Sequence, residues 1–126
     1  MLVVSTDLSD LIERGAELRA TLAAAGGLPA VDRLLAARRD LPAADREVLS
    51  WWRDDAVRGV FEVRDVASGA VGMLNLVDDL EYRVYRFAYQ VEPGMFAAGT
   101  LLPLTEDDSA WLAHGDEIVY PASDAR

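Results

Sequence analysis

The sequence predicts an α+β fold in which about three N-terminal helices precede a small barrel or curled sheet of five or six antiparallel strands. Two patterns along the chain carry this prediction. Up to about residue 56, apolar residues recur at intervals of three and four, as on one face of a helix. From residue 57, apolar and polar residues alternate, and short turn sequences separate the alternating segments. Short strands joined by tight turns are typical of a small barrel.

Three helices are expected in the first half. The first spans residues 7–25, with Asp7 among its candidate N-caps, and Gly26 ends it. The second begins near Pro29, because proline suits the first turn of a helix. The third follows Asp40, a candidate cap, and ends near residues 54–55. Its inward side chains are expected to be Ala44, Val48, Leu49 and Trp52.

Six strands are expected after the helices, at residues 60–66, 71–77, 80–87, 96–104, 110–113 and 117–120. One side of these strands is expected to form the core through Phe61, Val63, Leu76, Leu80, Tyr82, Val84, Leu102 and Trp111. No linker rich in proline, glycine or serine separates the helical part (7–56) from the β part (57–121), so residues 1–126 are expected to form one domain with a short disordered C-terminal tail.

Several short motifs occur together in the chain: RRDLP at 38–42, GVFEV at 59–63, NLVDDLEYRVY at 75–85, PGMF at 93–96, LPL at 102–104 and WL at 111–112. In this combination the chain resembles a group of uncharacterised actinobacterial proteins, in which a helical segment with the same turn precedes a β module. The motifs are turns, core aromatics and a hairpin, so the resemblance implies the fold and no catalytic residue. Residues 86–91 form a shorter segment than the loop expected at this place in the group.

The composition excludes several kinds of chemistry. The chain has no cysteine, which excludes disulfides, cysteine nucleophiles and zinc–thiolate sites. All twelve basic residues are arginine, so no lysine is present to form a Schiff base or to serve a phosphate-binding loop. This bias towards arginine and alanine is typical of a bacterium with a GC-rich genome. The sequence contains no cofactor-binding motif, so no cofactor is expected to bind.

The charge and hydropathy patterns restrict the partners. The net charge is −10, and residues 59–126 carry four arginines against twelve acids. Such a field opposes a phosphate backbone, so a nucleic-acid partner is not expected. No apolar run approaches the ~20 residues of a membrane span, and residues 1–7 lack the pattern of a signal peptide. The protein is therefore expected to be cytoplasmic, without a membrane partner.

Aromatic side chains give the best candidate for a binding surface. Trp51 and Trp52 lie about 100° apart on their helix, so Trp51 is not expected to share the inward direction of Trp52. In the third strand, Tyr85, Phe87 and Tyr89 are expected to share one face, with Arg83 just before them. Either the helices cover this row, or it forms an apolar groove for a peptide or a small ligand. The candidate binding residues are Trp51, Arg83, Tyr85, Phe87 and Tyr89.

Titratable residues offer a weaker candidate. His114 is the only histidine, and Asp116 is close to it in sequence. These two residues, with Asp78 and Asp79, are weak candidates for a metal site, and residues 106–108 form another acidic turn. The simpler interpretation is a loop histidine and solvated acidic turns, because one histidine supplies too few ligands. We therefore expect no metal site.

Two functions remain open from the sequence. The leading interpretation is a non-enzymatic binding or protein-interaction module, since aromatic surface exceeds what the core needs. The alternative is a small acid–base or metal-dependent enzyme that uses Asp or Glu with His114. A protein or peptide partner, or a homodimer through the aromatic row or the edge of the strand at 96–104, is also expected.

Overall fold

A computed structural model describes residues 7–67 and 69–122. Three α-helices come first: α1 (Leu8–Ala25), α2 (Val31–Ala37) and α3 (Ala43–Asp55), with a 3-10 turn at Leu28–Ala30 before α2. Six strands follow: β1 (Val57–Ala67), β2 (Ala70–Asn75), β3 (Glu81–Tyr85), β4 (Phe96–Pro103), β5 (Trp111–Ala113) and β6 (Ile118–Tyr120). The predicted α+β order is confirmed. The predicted C-terminal tail at 123–126 lies outside the described residues.

The strands form a closed barrel of five strands with one extra strand. Its order is β1-β2-β3-β5-β4, with β4 also paired to β1, and β6 adds to β4. The prediction of a wholly antiparallel sheet is wrong at one place, because β3 and β5 are parallel. A closed ring with an odd number of strands cannot alternate direction throughout. A five-strand barrel therefore contains at least one parallel pair.

The first helix begins and ends as its sequence predicts. The side chain of Asp7 accepts a hydrogen bond from the backbone N–H of Ser9 at 3.4 Å, and Gly26 ends the helix with φ 119°. Gly15 lies in the middle of α1, where a Cβ atom would overlap the side chain of Leu104 and lie 3.2 Å from Cδ1 of Leu112. The missing side chain allows α1 to pack closely on the barrel wall.

The third helix departs from prediction at its start. Pro42 is its N-cap residue, and Asp40 instead accepts a hydrogen bond from Nε of Arg38 at 2.9 Å. Of the four side chains expected inward, Leu49 and Trp52 are fully buried, Val48 is half-buried and Ala44 is exposed. Trp52 donates from its indole N–H to the carbonyl oxygen of Pro103 at 2.7 Å, which attaches α3 to β4.

The wall of the barrel separates two apolar clusters. Leu102 and Leu112 point to the helices, where they join Leu22, Leu49 and Trp52. The barrel interior is filled by alternating residues of the same strands and their neighbours, namely Phe61, Val63, Val71, Met73, Tyr82, Val84, Val91, Leu101, Trp111 and Ala113. One continuous wall thus supplies side chains to both clusters, as period-two alternation requires.

Six of the eight predicted core residues are buried, but Leu76 and Leu80 are 50% and 58% exposed. Leu76 follows the end of β2 and is outward in phase with Leu74. Leu80 has the inward phase of Tyr82, but it precedes β3 and lies at the rim of the barrel. The prediction is wrong for Leu76 because it lies on the outward face, and for Leu80 because its inward phase continues beyond the end of the strand.

Within the described residues, no helix combines the length and the apolar character needed to cross a membrane.

Candidate functional site

Two adjoining clefts lie where the start of α1, the β1–β2 hairpin and the segment 86–91 meet. The helix-side cleft has a volume of about 390 Å³ and is lined by Asp7, Leu8, Ser9, Ile12, Glu13, Gly69, Tyr85 and Arg86. The hairpin-side cleft has a volume of about 240 Å³ and is lined by Val66, Ala67, Gly69, Ala70, Val71, Arg86, Phe87, Tyr89, Gln90 and Val91. Both clefts share Gly69 and Arg86, so Arg86 stands between them.

The backbone at Arg86 determines how the aromatic residues are distributed. Strand β3 ends at Tyr85, and Arg86 has φ 53°, a left-handed conformation that a non-glycine residue adopts only rarely. The chain therefore changes direction after Tyr85. Tyr85 packs against the helical cluster, whereas Phe87 packs against the barrel cluster. The rings of Phe87 and Tyr89 lie with their centroids 5.7 Å apart and form part of one wall of the hairpin-side cleft.

The predicted aromatic row is thus divided, and the structure brings together only part of the predicted set. Tyr85, Phe87 and Tyr89 line the two clefts. Trp51 is half-buried against the helical cluster. Arg83 is exposed on β3, with its guanidinium 3.9 Å from a carboxylate oxygen of Asp65.

Among the described residues that line the clefts, Arg86 is the one cation, and it was not among the candidate binding residues predicted from the sequence. Its Nη2 atom donates to Oε1 of Glu13, which joins the segment after β3 to helix α1. Arg86 also lies near Arg19, whose Nη1 donates to the carbonyl oxygen of Ala113 at 2.6 Å. Burial lowers the pKa of Arg19, Glu117 opposes that effect, and the charge of Arg86 adds to the lowering. Nothing in the alternating sequence distinguishes Arg86 from Arg83, because its role depends on the backbone turn.

The weak metal candidates lie in separate places. Asp78 and Asp79 are in the β2–β3 turn, while Asp116 accepts hydrogen bonds from the backbone N–H and the hydroxyl of Thr100. The ring of His114 lies against Gly27, and its buried Nδ1 atom has no hydrogen-bond partner in the described part of the chain. Across residues 7–67 and 69–122, no group of three or more His, Asp or Glu side chains is arranged to hold a metal ion.

A third cleft, of about 480 Å³, lies at the rim of the barrel. It is lined by Asp55, Val57, Leu80, Glu81, Tyr82, Glu106, Asp108 and Trp111. At this rim the hydroxyl of Tyr82 donates to Oδ2 of Asp78 at 2.5 Å. Burial and this hydrogen bond raise the pKa of Tyr82 to about 12. Burial opposes ionisation of Asp78, but the hydrogen bonds it accepts from Tyr82 and Leu80 together lower its pKa.

The acidic rim was not predicted as one feature. Asp55 ends α3, Glu81 begins β3, and residues 106 and 108 lie between β4 and β5. The sequence predicts each of them as a separate acid in contact with solvent. Only closure of the barrel brings the loops and strand ends that carry them to one end of the molecule.

Comparison of the chain with protein-family models, with curated proteins and with solved structures finds no match in any of the three. The resemblance to actinobacterial proteins therefore stays a prediction.

Proposed function

We propose that the protein is a non-enzymatic binding or protein-interaction module, and that it binds an apolar group of a small ligand or a peptide in the two clefts beside Arg86. The observation that carries the proposal is the mainly aromatic and aliphatic lining of the hairpin-side cleft, which adjoins a second cleft where Leu8, Ile12 and Tyr85 add apolar surface. Concave apolar sites with a few polar groups are the usual form of ligand pockets.

The exposure of the lining residues supports this proposal. Val66 and Tyr89 remain 49% and 47% exposed at the hairpin-side cleft. Burying such side chains against a ligand gains roughly 25 cal/mol for each Å² of apolar surface removed from water. The wall is preorganised, because Phe87 is anchored in the barrel cluster and Tyr89 packs on its ring. A rigid wall loses little conformational freedom when a ligand binds.

The proposal can be tested with 1-naphthylmethanol, an uncharged two-ring probe, followed by backbone NMR shifts of the whole chain. Shifts are expected to concentrate at residues 66–71 and 85–91, and Tyr89→Ala is expected to weaken binding several-fold because it removes part of the wall. Val77→Ala is the control, since Val77 is an exposed apolar residue in the β2–β3 turn, outside both clefts. Shifts confined to other parts of the chain, or equal effects of the two variants, would contradict the proposal.

We also propose that the protein forms a homodimer, through the outer face of the barrel that includes β6. Two rows of side chains cross β1, β4 and β6 there, namely Val60–Ala98–Ile118 and Glu62–Phe96–Tyr120. Laterally paired residues on one face lie about 5 Å apart, so these rows form a continuous surface. The prediction that the strand at 96–104 has an exposed edge is wrong, because β4 is paired on both sides. In the described chain, β6 pairs only with β4, and its other edge is unpaired.

Charge favours this face for contact between two copies. Glu62 is the only charged residue in the two rows, and Arg64 lies 3.9 Å from its carboxylate. The repulsion between two chains of net charge −10 is therefore weaker here than at the acidic rim. Light scattering over a dilution series is expected to show a concentration-dependent dimer that Ile118→Glu abolishes. Ala24→Glu adds the same charge on α1 and is expected to leave the dimer intact; a monomer at every concentration contradicts the proposal.

A further inference from the structure

The hairpin-side cleft has a distinctive charge. Ten of the described residues line it, and among these ten Arg86 is the only charged residue and Gln90 the only side-chain amide. The rest of the lining is apolar or aromatic, apart from Gly69. In a chain of net charge −10, a concave apolar surface with one cation is unusual. The cleft is therefore complementary to a group that is apolar and negatively charged.

The guanidinium of Arg86 has N–H donors that are not used within the described residues. A guanidinium carries five N–H donors, and among the described residues Arg86 uses Nη2 in its bond to Glu13. The side chains of Arg86 and Glu13 are 47% and 60% exposed. Exposed ion pairs of this kind are weak in water, so Glu13 restrains Arg86 weakly. A second carboxylate can approach the same guanidinium from the hairpin side.

The surroundings of Arg86 also favour an anion. Burial lowers the pKa of Arg19, Glu117 opposes this effect, and the charge of Arg86 adds a smaller lowering that a carboxylate bound to Arg86 would lessen. The neighbouring acid Glu13 belongs to the helix-side cleft and is absent from the lining of the hairpin-side cleft.

We infer that the hairpin-side cleft selects ligands in which a carboxylate adjoins an apolar group, with Arg86 holding the carboxylate while Phe87, Tyr89 and Val91 contact the apolar part. This inference rests on the proposed binding function and names the chemical class of its ligand. A ligand carboxylate meets the same half-exposed guanidinium as Glu13, so its bond to Arg86 is sufficient for a modest preference between ligands that share the same apolar part.

A matched pair of probes tests the inference. 1-Naphthoate and 1-naphthylmethanol have the same rings and differ in the carboxylate. The whole chain is expected to bind 1-naphthoate about threefold more tightly, by NMR titration at low salt, since an exposed ion pair contributes little more than this. Arg86→Gln is expected to bring the ratio of the two affinities close to one, because it removes the cation of the cleft and keeps its apolar wall. Arg83→Gln is the control, since Arg83 is an exposed arginine three residues away that does not line the cleft.

Glu13→Gln supplies a second, independent measurement. It removes the competing carboxylate and is expected to raise the affinity for 1-naphthoate relative to the affinity for 1-naphthylmethanol. Equal affinities for the two probes in the unaltered chain, or a preference that survives Arg86→Gln, would overturn the inference and leave the proposed function in place. If neither probe shifts residues 66–71 and 85–91, the proposed function fails and the inference fails with it.

Discussion

Tyr82 combines two roles at the acidic rim. Its ring makes edge contacts with Phe61 and Trp111, with centroids 5.9 and 4.9 Å away, and so belongs to the barrel interior. Its hydroxyl reaches the rim and donates to Asp78. An ionised Tyr82 would lose this donor and place a negative charge beside a carboxylate. The folded protein therefore favours the protonated phenol.

The stability of the protein is expected to fall at high pH because of this residue. Burial and the bond to Asp78 raise the pKa of Tyr82 from 10.0 to about 12 in the folded state. The stabilisation that this pKa difference gives the folded state is fully present below pH 10 and is lost as the pH rises from 10 to 12. Two pKa units correspond to a loss of at most about 3 kcal/mol. Urea unfolding at a series of pH values is expected to show this loss in the unaltered chain but not in Tyr82→Phe.

The control for that experiment is Tyr120→Phe, which removes a half-exposed phenol on β6. It is expected to unfold with the pH dependence of the unaltered chain. A titration of tyrosinate absorbance gives the same information directly, because Tyr82→Phe is expected to remove a step near pH 12. If the step remains in Tyr82→Phe, the account of Tyr82 is wrong.

At the scale of single residues, the sequence predicts partners that are local in the chain. Asp7 and Gly26 were identified because a cap and a helix stop act within a few positions. Asp40 was misassigned because a neighbouring arginine, Arg38, competes for its carboxylate. Arg86 was not among the predicted binding residues because its place depends on a left-handed backbone conformation. Glycine usually marks such a turn in a sequence, and no glycine stands here.

Among the strands, the position of a leucine along its strand decides its contribution to stability. Leu102 lies in β4 and is fully buried, whereas Leu80 precedes β3 and is 58% exposed. Leu102→Ala is expected to cost about 2–5 kcal/mol, because it leaves a cavity between helices and barrel. Leu80→Ala is expected to cost less than about 1 kcal/mol, since little buried surface is removed.

Chemical unfolding of the two variants side by side provides the measurement, and each serves as the control for the other because the substitution is the same. Equal losses of stability would mean that the rim at Leu80 is packed. The comparison also separates two features of a strand: alternation specifies a face, whereas burial further requires that neighbouring strands extend as far.

Pairing between elements was only partly predictable. Alternation and turns predicted six strands close to their observed positions, since these signals act within about ten residues. The partners of β4 and the parallel pair β3–β5 depend on closure of the ring, which no local pattern encodes. The same limit applies to the clefts, because α1, the β1–β2 hairpin and residues 86–91 meet only through tertiary packing.

For the whole molecule, the net charge of −10 makes a direct prediction about nucleic acid. Duplex DNA is expected not to bind at physiological salt, because the field of the protein repels phosphate groups. Fluorescence anisotropy of a labelled duplex, with micromolar protein, measures this. A rise in anisotropy that decreases with added salt would show that local arginines outweigh the overall charge.

The position of β5 in the barrel has a consequence for synthesis of the chain. Strands β3 and β4 do not pair with each other, and β5, at residues 111–113, lies between them. A nascent chain that ends at residue 104 therefore holds the helices and four strands but an open sheet with two unpaired edges. Such edges are prone to association, so stable folding is expected only after synthesis has passed β5. Protease resistance of chains released at residues 104 and 122 would reveal this step, and equal resistance would argue against it.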